Sequence, residues 1–159
     1  MKNILIFLVS LIVILTLVKQ NEGACDVHNC PYGWVPYKCY CYQFSTRASK
    51  SWKEALKSCL RSGADLLCVK NFSEMMFVRN RIRQMNDAFG DARYWIGPND
   101  VKKEGSWKCA RRSLTYKRWR TGQPNNANNQ DCAVVASNGY WYDNSCSESN
   151  RRFICKKMA

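Results

Sequence analysis

Hydrophobic and polar positions along this chain follow two rhythms. In SWKEALKSCL, Trp52, Ala55, Leu56, Cys59 and Leu60 recur at one-face helical spacing, and Ser51 with Glu54 three residues on forms a capping box. This predicts an amphipathic helix with a buried cysteine. A second start, Asn71-Phe72-Ser73, precedes EMMFVRNRIRQM, where Val78, Ile82 and Met85 can face inward while Arg79 and Arg83 share a solvated side. Short aromatic and β-branched runs make up the rest: YCYQF before the first helix, ADLLCVK before the second, then RYWIG, GSWKC, LTYKRW, CAVVA, GYWYD and RRFICKK. Gly, Asn and Pro separate these runs, so the second half reads as strands joined by long loops. Two helices with irregular antiparallel strands make an α+β domain, and no repeat or low-complexity linker divides residues 25–159.

The amino terminus has a different pattern. Lys2 precedes ILIFLVSLIVILTLV, residues 4–18, which Lys19 closes, with small Gly23 and Ala24 beyond. A positive start, an apolar core and small residues predict a secretory signal over residues 1–24 and an extracellular, secreted domain over residues 25–159. The rival reading is a membrane anchor, but a spanning helix wants roughly 18 or more apolar residues. On the signal reading, the mature chain spans no membrane.

The chain's ten cysteines all follow that segment, and an even number in a small exported domain predicts a disulfide framework. Zinc is a poor reading, because His28 is the only histidine and no pair of CxxC motifs occurs. The formal charge is +13, and about +12 remains once Lys2, Lys19 and Glu22 leave with the signal. That surplus favours anionic partners: acidic or sulphated glycans, anionic lipid, acidic protein or mineral. Export argues against nucleic acid. No nucleophile elbow or expected free thiol is present, so the chain does not read as an enzyme.

Several separated features together resemble a long-form C-type lectin-like domain. They are CPYGW from Cys30, CY at Cys41, the helix carrying Cys59, RYWIG, EGSW, QPN, DC at Cys132, WYDNSC and FICKK. The resemblance implies bridges Cys59–Cys155, Cys132–Cys146 and Cys30–Cys41. Cys25, Cys39, Cys68 and Cys109 remain, and four cysteines allow three pairings. Cys109 stands where the family has an aromatic, and the expected pairs are Cys68–Cys109 and Cys25–Cys39. Without a local mate, Cys25 would allow a covalent homodimer.

The resemblance also implies a calcium and sugar site in QPNNANNQDC. Sugar-binding members carry Glu-Pro-Asn or Gln-Pro-Asp with a cis proline there, and an Asn-Asp pair in a WND strand completes the site. Here Gln123-Pro124-Asn125 supplies no charge, Gln130 replaces a glutamate and Tyr142 replaces an asparagine, leaving Asp143 as the one carboxylate. Calcium wants six to eight hard oxygens and follows ligand charge. Weak or absent calcium binding is therefore expected at this position, and Lys117, Arg118 and Arg120 oppose it further.

An auxiliary calcium site is implied by Asp100, Glu104 and Asp131 with Asn126. The alternative is that Asp100 and Glu104 only flank a turn ending at Gly105. The amides of Gln123, Asn125, Asn126, Asn128, Asn129 and Gln130, with Tyr140 and Tyr142, could bind sugar without metal, whereas Trp141 reads as core. The carbohydrate candidates are thus Gln123, Asn125, Gln130, Tyr142 and Asp143. The functional expectation is glycan binding with little calcium dependence and an anionic preference; the alternative is a non-lectin protein recognising a protein, lipid surface or mineral by charge. Asn71 heads an N-glycosylation sequon.

Overall fold

The computed structural model describes residues 30–48 and 51–159. The expected signal segment lies outside the described residues. Among the described residues, no helix is long and apolar enough to cross a membrane.

Both helices begin where their caps predict. Helix α1, Trp52–Arg61, has Ser51 as N-cap, its Oγ accepting from the Glu54 N–H at 3.2 Å. Helix α2, Phe72–Phe89, is capped by Asn71, whose Oδ1 accepts from the Glu74 N–H at 2.9 Å. Such caps are each worth about 1 kcal/mol. Helix α2 runs on past the predicted Met85 to Gly90, which takes φ 81°. Leu60 departs from expectation and is 54 % exposed. At 3.6 residues per turn it lies about 120° around α1 from the line through Ala55 and Cys59, which are the buried positions.

Among the described residues, nine strands follow the order β1 Val35–Tyr37, β2 Tyr40–Phe44, β3 Asp65–Leu66, β4 Tyr94–Asn99, β5 Lys108–Cys109, β6 Arg112–Ser113, β7 Cys132–Val135, β8 Trp141–Asn144 and β9 Arg152–Met158. Strand β9 pairs antiparallel with β2 and β3 and parallel with β4, which pairs with β7 and β5. The sheet is therefore mixed rather than wholly antiparallel. ADLLCVK and GSWKC contribute only two strand residues each. LTYKRW forms no strand, because the step from Tyr116 to Trp119 breaks the period of two. One rung remains, in which Trp141 donates to the Arg118 carbonyl at 2.8 Å and accepts from the Arg120 N–H at 3.0 Å.

Alternation along the strands separates two cores. Tyr94, Ile96, Ala133, Val135 and Trp141 join Met75, Val78 and Ile82 of α2, while Trp95, Val134 and Tyr142 join Ala55 and Cys59 of α1. Cys59–Cys155, Cys132–Cys146, Cys30–Cys41 and Cys68–Cys109 are bonded as expected. Cys39 is also disulfide-bonded; its expected mate, Cys25, lies outside the described residues. The Cys68–Cys109 bridge passes over Gly97, where a Cβ would lie 2.4 Å from the Cys109 sulfur. Only glycine leaves room for that crossing.

Candidate functional site

Between Trp119 and β7 the chain forms a loop without strands, and its amides serve the backbone first. Asn126, Asn128 and Asn129 take φ of 48°, 57° and 61°, a left-handed conformation that asparagine tolerates well. The oxygens then close the loop on itself. Asn125 Oδ1 accepts from the Ala127 N–H at 3.2 Å, and Asn126 Oδ1 from the Gln130 N–H at 2.7 Å. Gln123 Oε1 accepts from the Asp143 N–H at 3.2 Å, and Asp143 Oδ2 from the Asn125 and Asn126 N–H groups at 2.7 and 2.6 Å. The Gln123–Pro124 bond is cis. Gln123, Asn125 and Asp143 thus come together, Tyr142 precedes Asp143 in β8, and Gln130 is held to Asn126 across the loop.

This donor set does not fit a calcium ion. Gln123, Asn125 and Asp143 Oδ2 already accept hydrogen bonds, and Asp143 Oδ1 is the one buried carboxylate oxygen there without a partner. A single carboxylate among amide oxygens that mostly accept hydrogen bonds already is a poor match for calcium, which takes six to eight oxygens and follows ligand charge.

A second set fits better. Carboxylate oxygens of Asp100, Glu104 and Asp131 lie within 4.8 Å of one another. Asp100 is buried; its Oδ2 accepts from the Gly105 N–H at 2.8 Å, and its Oδ1 has no partner. Burial holds the Asp100 carboxyl above its ordinary pKa, and the nearby Glu104 and Asp131 charges push it the same way. Both perturbations would be relieved by a cation, and three hard anionic oxygens suit calcium chemically. Asn126, the fourth candidate, has its Oδ1 engaged by Gln130. Asn129 Nδ2 donates to Asp131 Oδ2 at 2.9 Å, linking this cluster to the amide loop.

Beside the loop, arginine meets aromatic rings. Tyr142 is only 7 % exposed, with the Arg93 guanidinium 4.5 Å and the Arg120 guanidinium 5.7 Å from its ring centre. Asn138 Nδ2 donates to its hydroxyl at 2.9 Å. Tyr142 therefore presents covering guanidinium groups rather than an open face. Trp141 is fully buried and donates to Met75 Sδ at 3.4 Å, as a core residue does. Sequence reasoning missed Arg93, which lies far from the loop in sequence and carries no local motif.

Comparison with known proteins places this architecture. The family model described as "Lectin C-type domain" matches residues 48–157. A perlucin-like protein of Mytilus galloprovincialis is 36% identical over 144 residues, 87% of this chain and 90% of that protein. C-type lectin domain family 17, member A, of Homo sapiens is 36% identical over 135 residues; the match covers 84% of this chain but 33% of that longer relative. The solved mouse scavenger receptor C-type lectin carbohydrate-recognition domain superposes with a TM-score of 0.72 at 30% identity, covering 81% of this chain and 96% of that one. With two capped helices, a mixed sheet, the expected bridges and a family match over most of its length, this chain belongs to the C-type lectin domain family.

Proposed function

We propose that this protein is a secreted lectin that binds glycans, with a preference for anionic ones, through the 120–131 loop and β8, and without a calcium ion at Gln123, Asn125 and Asp143. The single observation carrying this reading is the pairing of a self-closed amide loop with two exposed guanidinium groups, those of Arg93 and Arg120, over Tyr142. Asn125 stays exposed, and Gln130 is partly so, which leaves amide groups for sugar hydroxyls. Arginine forks suit sulphate and carboxylate oxygens, and no acid among the described residues pairs with either guanidinium. Similarity to a carbohydrate-recognition domain supports the glycan part of the proposal.

Calcium, if bound, is assigned to Asp100, Glu104 and Asp131. There it would supply positive charge that neutralises the three carboxylates and orders the adjoining loop. The apolar leader and the disulfide framework support export, and the exposed Asn71 at the start of α2 is the proposed glycosylation site.

A glycan array read in calcium and again in chelator tests the proposal. Selective binding of particular acidic sugars, largely retained in chelator, is the expected result. Binding that ignores sugar identity and disappears by about half-molar salt would instead support recognition of a protein, lipid or mineral surface by charge alone. Arg93→Ala should weaken binding to acidic sugars by several-fold and leave neutral sugars unaffected.

A further inference from the structure

At the foot of β8, a third arginine lies against two exposed rings. Arg118 places its guanidinium 4.6 Å from the Tyr140 ring centre and 5.2 Å from that of Phe72. Phe72 is 57 % exposed and Tyr140 39 %. Neither exposure is explained by folding needs. Asn71 caps α2 by accepting from the Glu74 N–H, so the first helical residue has no need of an aromatic, and the Tyr140 N–H is held by Asn138 Oδ1 at 2.9 Å whatever its side chain.

The Arg118 backbone is held in place. Its carbonyl accepts from the Trp141 N–H, and its neighbour Trp119 packs edge-on against Trp141 with ring centres 5.7 Å apart. Its Nε is buried without a partner, and no acid among the described residues pairs with the group. A planar cation stacked between rings has its faces occupied and its Nη edges left to meet oxygens.

The same pattern repeats two residues on. Arg118 with Tyr140 and Arg120 with Tyr142 are consecutive i, i+2 pairs, and Asn138 bonds both the Tyr140 N–H and the Tyr142 hydroxyl. Around the single Trp119–Trp141 rung, two residues of extended chain advance about 6.6 Å. A row of this kind suits an extended chain with more than one charged unit.

We propose that Phe72, Arg118 and Tyr140 form a second subsite, which takes a sugar residue bearing sulphate or carboxylate when the preceding residue of the same chain occupies the loop site. Its anionic group meets the Arg118 Nη edges, and its C–H face lies on the exposed rings. This rests on the glycan-binding reading above.

The test compares a sulphated monosaccharide with sulphated and uronate-containing tetrasaccharides, titrated calorimetrically into wild type, Phe72→Ala and Arg118→Lys. Arg118→Lys keeps the charge but loses the planar stack. The expected result is about a tenfold loss of tetrasaccharide affinity in either variant, with monosaccharide affinity and the thermal midpoint unchanged. Which tetrasaccharide loses more identifies the preferred anion. Equal losses for monosaccharide and tetrasaccharide, or a lowered midpoint accounting for the loss, would show a structural stack and overturn the proposal. If wild type binds these sugars and neither variant differs from it, the subsite alone is refuted; if wild type binds none, the glycan-binding reading fails and the subsite with it.

Discussion

Glu74 and Asp100 are buried to nearly the same extent, at 4 % and 3 % exposed, yet their surroundings are opposite. Glu74 has its own cation. Its Oε1 accepts from Lys156 Nζ and from the Tyr42 hydroxyl at 2.5 Å, and its Oε2 accepts from the Lys70 N–H at 2.6 Å. This ties α2 to β2 and β9. Asp100 has one backbone donor, one unpartnered oxygen and two acidic neighbours. A buried carboxylate satisfied from within belongs to the fold, whereas one with an unpartnered oxygen beside two other acids is open to a cation from outside. Asp143 stands between them, with two backbone donors on one oxygen and none on the other.

Mutations at these three carboxylates should differ in size and sign. Lys156→Ala strands the Glu74 charge and should cost about 3–5 kcal/mol in denaturant unfolding. Pairing Lys156→Met with Glu74→Gln should recover much of that loss; failure to do so would mean that the charge is not the cause. Asp143→Ala leaves the Asn125 and Asn126 N–H groups without their acceptor. A cost of about 1–3 kcal/mol is expected, read most directly as lost hydrogen-exchange protection at those two amides. Asp100→Asn should act in the opposite direction. Without calcium it removes a buried charge crowded by Glu104 and Asp131, so a gain of about 1 kcal/mol in thermal unfolding is expected. A loss there would erase the contrast with Glu74.

How much of this could be read in the sequence depends on how local the cause was. The caps at Ser51 and Asn71 act over three residues, and both structural caps match them. The Cys59–Cys155 bridge and its companions followed from a resemblance spread over the whole chain. The parallel pairing of β4 with β9 was hidden, because Tyr94 and Arg152 are far apart in sequence and no strand pattern specifies its neighbour. LTYKRW looked like a strand by composition, but its spacing from Tyr116 to Trp119 could not sustain one.

The amide loop was ambiguous for a chemical reason. Asparagine serves both as a ligand and as a residue able to turn left-handed, and at Asn126 the side-chain oxygen is spent on the Gln130 N–H. The cover that Arg93 gives Tyr142, and the clamp on Arg118 by Phe72 and Tyr140, depend on tertiary approach alone.

The proposed cation site is Asp100, Glu104 and Asp131, not Gln123, Asn125 and Asp143. Calorimetric titration of calcium into wild type, Asp131→Asn and Asp143→Asn tests it most directly. One weak event is expected, with a dissociation constant on the order of 0.1–1 mM, that Asp131→Asn abolishes and Asp143→Asn leaves in place. Tight uptake that survives Asp131→Asn and disappears with Asp143→Asn would contradict it.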